Sequence, residues 1–366
     1  MAKMSQQLAL PVARIKKSPL EVVSRFWAWL FLLLLLLFFS LTGPGFFSFL
    51  NLQSIVNDMA LALLMSLGQT FVIIAAGIDL STGFTMGFAA VIEAVVLNAL
   101  VGRLPGGLAL ALPLSVVVAL AVGTLPGLVN GVLIGRLRVP PFIATLGMYG
   151  IARGLGFIFS GGGQPVSVQV PGVGDIGNGY LLYYHPAVGF SFLHPPTPLP
   201  PGARPRDLVS ILPFPLIVAA VAFVVCYWLL SRTRFGRHTY ALGGAPEAAR
   251  RAGIPVARQI LKIYMLSALL ASVAGVLYVL RFTNGDANAG DPLLLDSIAA
   301  VVIGGASLFG GEGTLVGTLI GTLIIYVIQN GLVIIGIDPY WQFVAIGAVI
   351  ILAVLMDQAK ASVLRR

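Results

Sequence analysis

From Trp27 to Leu41 the chain reads WAWLFLLLLLLFFSL, an uncharged stretch whose kind recurs along the whole length. Nothing constrains the fold more. A bilayer core about 30 Å thick asks for roughly 20 apolar residues per helix, and every backbone amide inside it must find a partner within the protein. These runs lack the apolar–polar alternation of a barrel strand. Only 10% of the 366 residues are charged and 58% are hydrophobic, against about 25% charged in soluble domains. The expectation is an all-α polytopic membrane protein with the lipid bilayer as its solvent.

Apolar windows predict about ten transmembrane helices, near residues 26–42, 55–76, 83–101, 107–135, 142–159, 208–230, 260–280, 293–309, 314–335 and 340–356. Lys and Arg orient them. Lys3, Arg14, Lys16, Lys17 and Arg25 precede the first span, and Arg136 and Arg138 follow the fourth. Arg232, Arg234, Arg237, Arg250, Arg251, Arg258 and Lys262 lie between the sixth and seventh, and Lys360, Arg365 and Arg366 close the chain. An even number of spans puts all of these in the cytoplasm and leaves Arg103, Arg204, Arg206 and Arg281 outside, with Arg153 inside a span. The predicted layout is a cytoplasmic tail over 1–25, a transmembrane domain over 26–357 and a cytoplasmic tail over 358–366. Within it, 160–207 is a long external loop and 232–262 the longest cytoplasmic one.

The net charge of +9 follows from this loop asymmetry and implies no nucleic acid. Leu30–Leu41 is followed by no small-residue cleavage site, so the first span reads as retained. Cys226 is the sole cysteine, so there is no disulfide framework. The external loop, rich in Gly and Pro, reads as irregular apart from one short ordered piece around Leu181–Phe192.

The motifs of chemistry are missing. There is no GxxxxGK[ST] phosphate cradle, no HExxH, no CxxC and no GxSxG, and His185, His194 and His238 all fall in predicted loops. The chain is expected not to be an enzyme and to need no cofactor or metal; ATP use would belong to a partner.

Glycine is placed informatively. Gly123, Gly127, Gly131 and Gly135 recur every four residues in the fourth span, and Gly313, Gly317 and Gly321 in the ninth, which gives each helix a flat seam for close packing. Two polar breaks interrupt apolar sequence: AAGIDLSTG, Ala75–Gly83, and IGGASLFGGEG, Ile303–Gly313. Exposed backbone of this sort is tolerated at membrane depth only where protein or a watery cavity covers it. Asp79, beside the membrane, is expected to cap the next helix through the Ser81 or Thr82 amides or to pair with a base. On desolvation cost Glu93 and Asp296 are the better pathway candidates. Asp79, Ser81 and Ser307 of the breaks join them as candidate pathway or gate residues.

One stretch is unlike the rest: GGAPEAARRAGIPV, Gly243–Val256. Pro246 suits a first helical turn, Glu247 an N-terminus and Arg250 and Arg251 a C-terminus, and Gly253 can supply a left-handed cap. A short capped helix lying across the membrane surface is predicted. An ordinary linker has the same signature.

These blocks together resemble the ribose-type permease subunits of bacterial ATP-binding cassette sugar importers. The resemblance is carried by GIDLSTG (Gly77–Gly83), GLVNGVLIGRLRVPPFIATLGM (Gly127–Met148), TRFGRHTYALGGAPEAARRAGIPV (Thr233–Val256), LDSIAAVVIGGASLFGGEGTLVGTLIG (Leu295–Gly321) and YWQFVAIGAVIILAVLMD (Tyr340–Asp357). It implies the importer permease fold, with about ten spans and discontinuous segments. It also implies an inner-membrane location, a second permease subunit (an identical copy or a paralogue), a separate ATPase subunit, and an extracytoplasmic sugar-binding protein that delivers a monosaccharide. The family's coupling helix falls on Gly244–Ile254, with Gly244, Glu247, Ala248, Ala249 and Gly253 at its ATPase-docking positions. Two departures stand out. The external segment is longer than usual, and Leu294 stands where many members carry a glutamate near the aspartate matched by Asp296. The rival from another class is an ion-coupled secondary transporter of a small polar solute, for which only Glu93 and Asp296 could serve.

The orientation is testable with single cysteines placed by Gly202→Cys and Ala245→Cys in a Cys226→Ser background. An impermeant maleimide should label them from opposite sides of the membrane. Labelling of both from one side would contradict the even-span arrangement.

Overall fold

The computed structural model describes residues 19–197, 204, 207–338 and 340–364, with side chains from Trp27 to Leu355. Lys3, Arg14, Lys16, Lys17, Arg206, Arg365 and Arg366, used above to orient the chain, lie outside the described residues, as does Gly202. The helices are α1 Pro19–Thr42, α2 Phe49–Ile74, α3 Thr82–Val101, α4 Leu108–Gly135, α5 Pro141–Phe159, α6 Val173–Gly177, α7 Phe214–Arg232, α8 Arg234–Gly244, α9 Pro246–Arg251, α10 Val256–Phe282, α11 Asp291–Ile303, α12 Leu315–Ile334 and α13 Trp341–Leu364.

Among the described residues seven helices are long and apolar enough to cross a membrane: α2, α3, α4, α5, α7, α10 and α12. The chain is a multi-pass, mostly helical membrane protein. Each of the ten expected spans has a helix at its place, but three fall short of the full length. The described apolar parts of α1 and α13, Trp27–Thr42 and Trp341–Leu355, are shorter, and α11 has 13 residues, about 20 Å.

The interior is built around α2, which is buried from Met59 through Ile74. At one end of α2 the Gln53 side chain donates to the Ser210 carbonyl; at the other, the Ile74 carbonyl accepts from the Gly311 amide. Outer helices reverse the soluble pattern and show Leu114, Val117, Ile143, Ile151, Val221 and Val224 on their surfaces, as lipid-facing helices should.

Helix contacts follow the small residues. A side chain added at Gly127 would run into the Tyr264 carbonyl and the Ala268 methyl. One at Gly131 would stop 2.7 Å from Leu261 Cα, and one at Gly135 2.8 Å from the Ala257 carbonyl. The α4 seam therefore lies along α10, backbone against backbone. On α12, Gly317 abuts the Gly304 carbonyl and Gly321 the Ala300 carbonyl, so that seam holds the end of α11.

The shortness of the eighth span has a physical cause. After α10 the chain returns as a non-helical segment along α3: Gly285 lies against Ala90 and Ala94, Ala287 against Gly87, and Gly290 against Gly83. It descends from Ala94 to Gly83, about 16 Å of helix, before α11 begins at Asp291. Only a half-span remains for α11. Non-helical backbone at this depth is covered on one side by α3 and on another by α5, whose Gly156 meets the Ala287 methyl.

The all-α expectation needs one correction. Five short strands are present: β1 Val166–Ser167, β2 Tyr180–His185, β3 Gly189–Phe192, β4 Val209–Pro213 and β5 Asn284–Gly285. β1 pairs antiparallel with β5, and the others form an antiparallel sheet in the order β3-β2-β4. Among the described residues of 160–207, β2 and β3 form the ordered piece expected around Leu181–Phe192, and β1 and α6 add two short elements that were not expected. β4, beyond the Pro-rich stretch, pairs with β2 and runs straight into α7 through Pro213.

Because the α4–α10 contact is between backbones, Gly127→Leu cannot be relieved by a rotamer change and should destabilise by about 1–3 kcal/mol. Gly150→Leu, on α5 where no atom lies within 4 Å of the added carbon, should leave the monomer's stability alone. Thermal unfolding in detergent measures both. Equal melting of Gly127→Leu and the parent would mean that the α4 seam is not packed.

Candidate functional site

The first break ends α2 with Ala76 in the left-handed region, φ 60°, and closes with the Gly77 amide bonded to the Val72 carbonyl. Glycine at 77 leaves room for the Tyr264 hydroxyl, which would sit 2.6 Å from a Cβ there. Asp79 follows, 1% exposed. Its Oδ1 accepts from the Ser81 amide at 3.0 Å and the Ser81 hydroxyl at 2.6 Å, and its Oδ2 accepts from the Ser267 hydroxyl of α10 at 3.1 Å. Asn130 of α4 donates to Ser81 Oγ at 3.0 Å. The Gln69 amide of α2 donates to the Asp79 carbonyl and, at 3.1 Å, to Thr82 Oγ1. Thr145 of α5 donates to the Ile78 carbonyl at 3.2 Å. Four helices thus meet the needs of one broken segment, and Asp79 holds Ser81, the residue before α3, from deep inside the protein rather than from the membrane surface.

The second break, Ile303–Gly313, folds on itself. The Ser307 amide donates to the Glu312 carbonyl at 3.2 Å, and the Gly310 amide to the Ser307 carbonyl at 3.0 Å. Ser307 Oγ accepts from the Phe309 amide at 3.3 Å. Gly310 and Gly311 take φ 85° and 77°, which only glycine adopts freely.

α8 joins the two breaks. Thr233 caps its start by accepting from the Gly236 amide, and Gly243 near its end lies against the Ile74 carbonyl of α2 and the Gly311 amide. The same amide donates to that carbonyl at 2.8 Å. The Tyr240 hydroxyl donates to the Gly313 carbonyl at 2.7 Å. Burial pushes the Tyr240 pKa up, so the phenol keeps its proton and stays a donor. The end of α2, the second break and α8 therefore share one backbone junction, with no side chain between Gly243 and its neighbours to absorb displacement.

α9 follows as the expected capped helix. Pro246 lies in its first turn with Glu247, and Arg250 and Arg251 lie in its last. Gly253 takes φ 82°, and the Ile254 amide returns to the Ala249 carbonyl at 3.1 Å, the bond pattern of a left-handed helix stop. Gly244, Glu247, Ala248 and Gly253 are exposed. Ala249 is not: it is 4% exposed and turned into the protein. The alanine pair divides, because successive helical residues face about 100° apart, so Ala248 alone offers its methyl to a partner.

The remaining candidates are not brought together. Glu93, fully buried in α3, accepts from Ser115 of α4 at 2.9 Å. Asp296 of α11 accepts from Gln329 of α12 at 3.0 Å. Gln329 also lines a cavity of about 260 Å³ with Asp58, Tyr326 and Asn330, next to the Asp58–Arg281 ion pair. Gly127 and Gly131, and Gly317 and Gly321, lie in the two packing seams. Among the described residues no group of three His, Cys, Asp or Glu side chains could hold a metal ion. Sequence reasoning missed Gln69, Asn130 and Ser267, although each is a polar residue inside an apolar run and signals itself by that cost. Tyr240 carries no such signal.

A family described as the permease component of the branched-chain amino acid transport system matches residues 51–354. Similar curated proteins include the ribose import permease protein of Bacillus subtilis, 35% identical over 93% of this chain and 95% of that protein. The fructose import permease protein of Rhizobium meliloti is 35% identical over 88% of this chain and 82% of its own length. The galactose/methyl galactoside import permease protein of Escherichia coli is 35% identical over 94% and 97%. No solved structure matches the chain.

Proposed function

Because the chain belongs to the permease component family of the branched-chain amino acid transport system, we propose that it is the membrane subunit of an ATP-binding cassette importer for a monosaccharide. The family description speaks of amino acids, but ribose, fructose and galactose permeases align with nearly the whole chain and favour sugar as cargo. The protein resides in the bacterial inner membrane, crosses it about ten times with the extended segment 284–290 and the half-helix α11 together making one crossing, and turns α8 and α9 to the cytoplasm and the β2–β4 sheet outward. A separate ATPase subunit hydrolyses ATP. An extracytoplasmic sugar-binding protein delivers the cargo, and a second permease subunit completes the pathway. Gly147, Gly150 and Gly154 of α5 leave open space for that subunit, with no atom within 4 Å of a carbon added at any of them.

The observation that carries this reading is the junction of α8 with Ile74, Gly311 and Gly313. A movement applied to α9 by an ATPase is transmitted through α8 to both broken segments without passing through a flexible loop. The carboxylates an ion-coupled transporter would need, Glu93 and Asp296, are engaged separately with Ser115 and Gln329, and no paired acid site forms between them.

Ala248→Trp separates the coupling role from a surface loop, which accepts a larger residue within about 0.5 kcal/mol. Reconstituted with its ATPase and binding protein, the variant should insert normally and lose sugar uptake together with stimulated hydrolysis. Uptake and hydrolysis equal to the parent's would sink the docking assignment.

A further inference from the structure

Arg153 lies on α5, a helix long and apolar enough to cross a membrane, and is exposed there. A guanidinium facing hydrocarbon is costly, so this face of α5 looks onto water or protein. The ion pairs among the described residues are Glu247–Arg250 and Asp58–Arg281, and neither involves Arg153. Its Cζ instead stands 5.3 Å from the centre of the Phe84 ring and 5.4 Å from that of Phe157, a cation–π seat that holds the charge without neutralising it. One helical turn away, Tyr149 meets Phe84 edge-on at 4.6 Å, and its hydroxyl donates to Asp291 Oδ1 at 3.4 Å. Asp291 is itself exposed. Gly290, just before it, packs against Gly83, just before Phe84. The extended segment therefore delivers a carboxylate to the depth at which α3 begins, bonded to the Tyr149 whose ring shares Phe84 with the Arg153 guanidinium.

We propose that Arg153, Tyr149 and Asp291, seated on Phe84 and Phe157, hold the hydroxyl groups of a neutral sugar as it crosses the membrane; this rests on the importer reading above. Arg153 offers only donors, Asp291 only acceptors and Tyr149 both, which is what a row of hydroxyls requires. An anion would meet Asp291 and a cation would meet Arg153, so the cluster disfavours net charge of either sign. An apolar solute would strip water from both charges without replacing its hydrogen bonds. Asp79 cannot take this role, since its two oxygens already accept three hydrogen bonds from Ser81 and Ser267.

The test uses the permease with its ATPase and binding protein in proteoliposomes, supplied with radiolabelled ribose, galactose or fructose. Arg153→Met should lower uptake about tenfold or more while hydrolysis stimulated by the binding protein stays at the parent's level. Asp291→Asn and Tyr149→Phe should change the preference between the carried sugar and its deoxy analogue. Parental uptake and preference in all three variants overturns the proposal, as does loss of hydrolysis together with uptake, which would make Arg153 a structural residue. Should Arg153→Met fail to reach the membrane, Arg153→Lys, which keeps the charge and loses the planar fork, decides by the same readouts. If the unaltered importer carries none of the three sugars, the importer reading fails first, visible in the parent arm alone, and the proposal falls with it.

Discussion

Backbone that leaves the helix inside a bilayer must have its polar groups met by protein, and the structure depends on how that demand is met at Ala75–Gly83. Asp79 gathers Ser81 from its own segment and Ser267 from α10, while Gln69, Asn130 and Thr145 secure Ser81, Thr82 and the carbonyls of Ile78 and Asp79. α2, α3, α4, α5 and α10 are thereby tied together at one depth. Truncating Ser267 leaves Asp79 Oδ2 without a partner in a buried site, at about 1–3 kcal/mol. The glycine seam of α4 allows the approach that Asn130 needs, so apolar packing and polar satisfaction are parts of one arrangement.

Where α2 ends, the second break and α8 join it through a different kind of contact. Gly243, Gly311 and the Ile74 carbonyl meet through backbone, and Tyr240 adds one hydrogen bond to Gly313. Such a junction transmits displacement well because it has no rotamers to spend. It also places the short charged helix α9 at the end of a rigid lever rather than on a tether. The non-helical segment 284–290 plays a complementary part: small residues at 285, 287 and 290 lie on the small-residue face of α3 and bring α11 to its start within the bundle.

Much of this was legible from residue chemistry. The seams at Gly127 and Gly317, the two glycine-bounded breaks and the capped helix from Pro246 to Gly253 all announce themselves, because glycine, proline and charge are expensive in a bilayer and stand out against it. The depth of Asp79 was not legible, since a carboxylate at the end of an apolar run reads the same whether it lies at the surface or is enclosed by partners distant in sequence. Ala249 reads like Ala248 until helical phase is fixed by the cap. The β2–β3 hairpin was half visible around Leu181–Phe192, but its pairing with Val209–Pro213 spans a Pro-rich stretch with no period to follow. Arg153 was visible only as a charge within a span; its aromatic seat and its link to Asp291 through Phe84 and Tyr149 come from a non-helical path that no local pattern encodes.

The central claim is that α8 and the second break move as one body. Spin labels on Ala241 and Phe309, both exposed, report that body, and a label on Leu137 beyond α4 reports the frame. Pulsed dipolar spectroscopy on the assembled importer, with and without ATP, should find the Ala241–Phe309 distance unchanged while both distances to Leu137 shift. A nucleotide-dependent change between Ala241 and Phe309 would contradict the rigid junction and the transmission built on it.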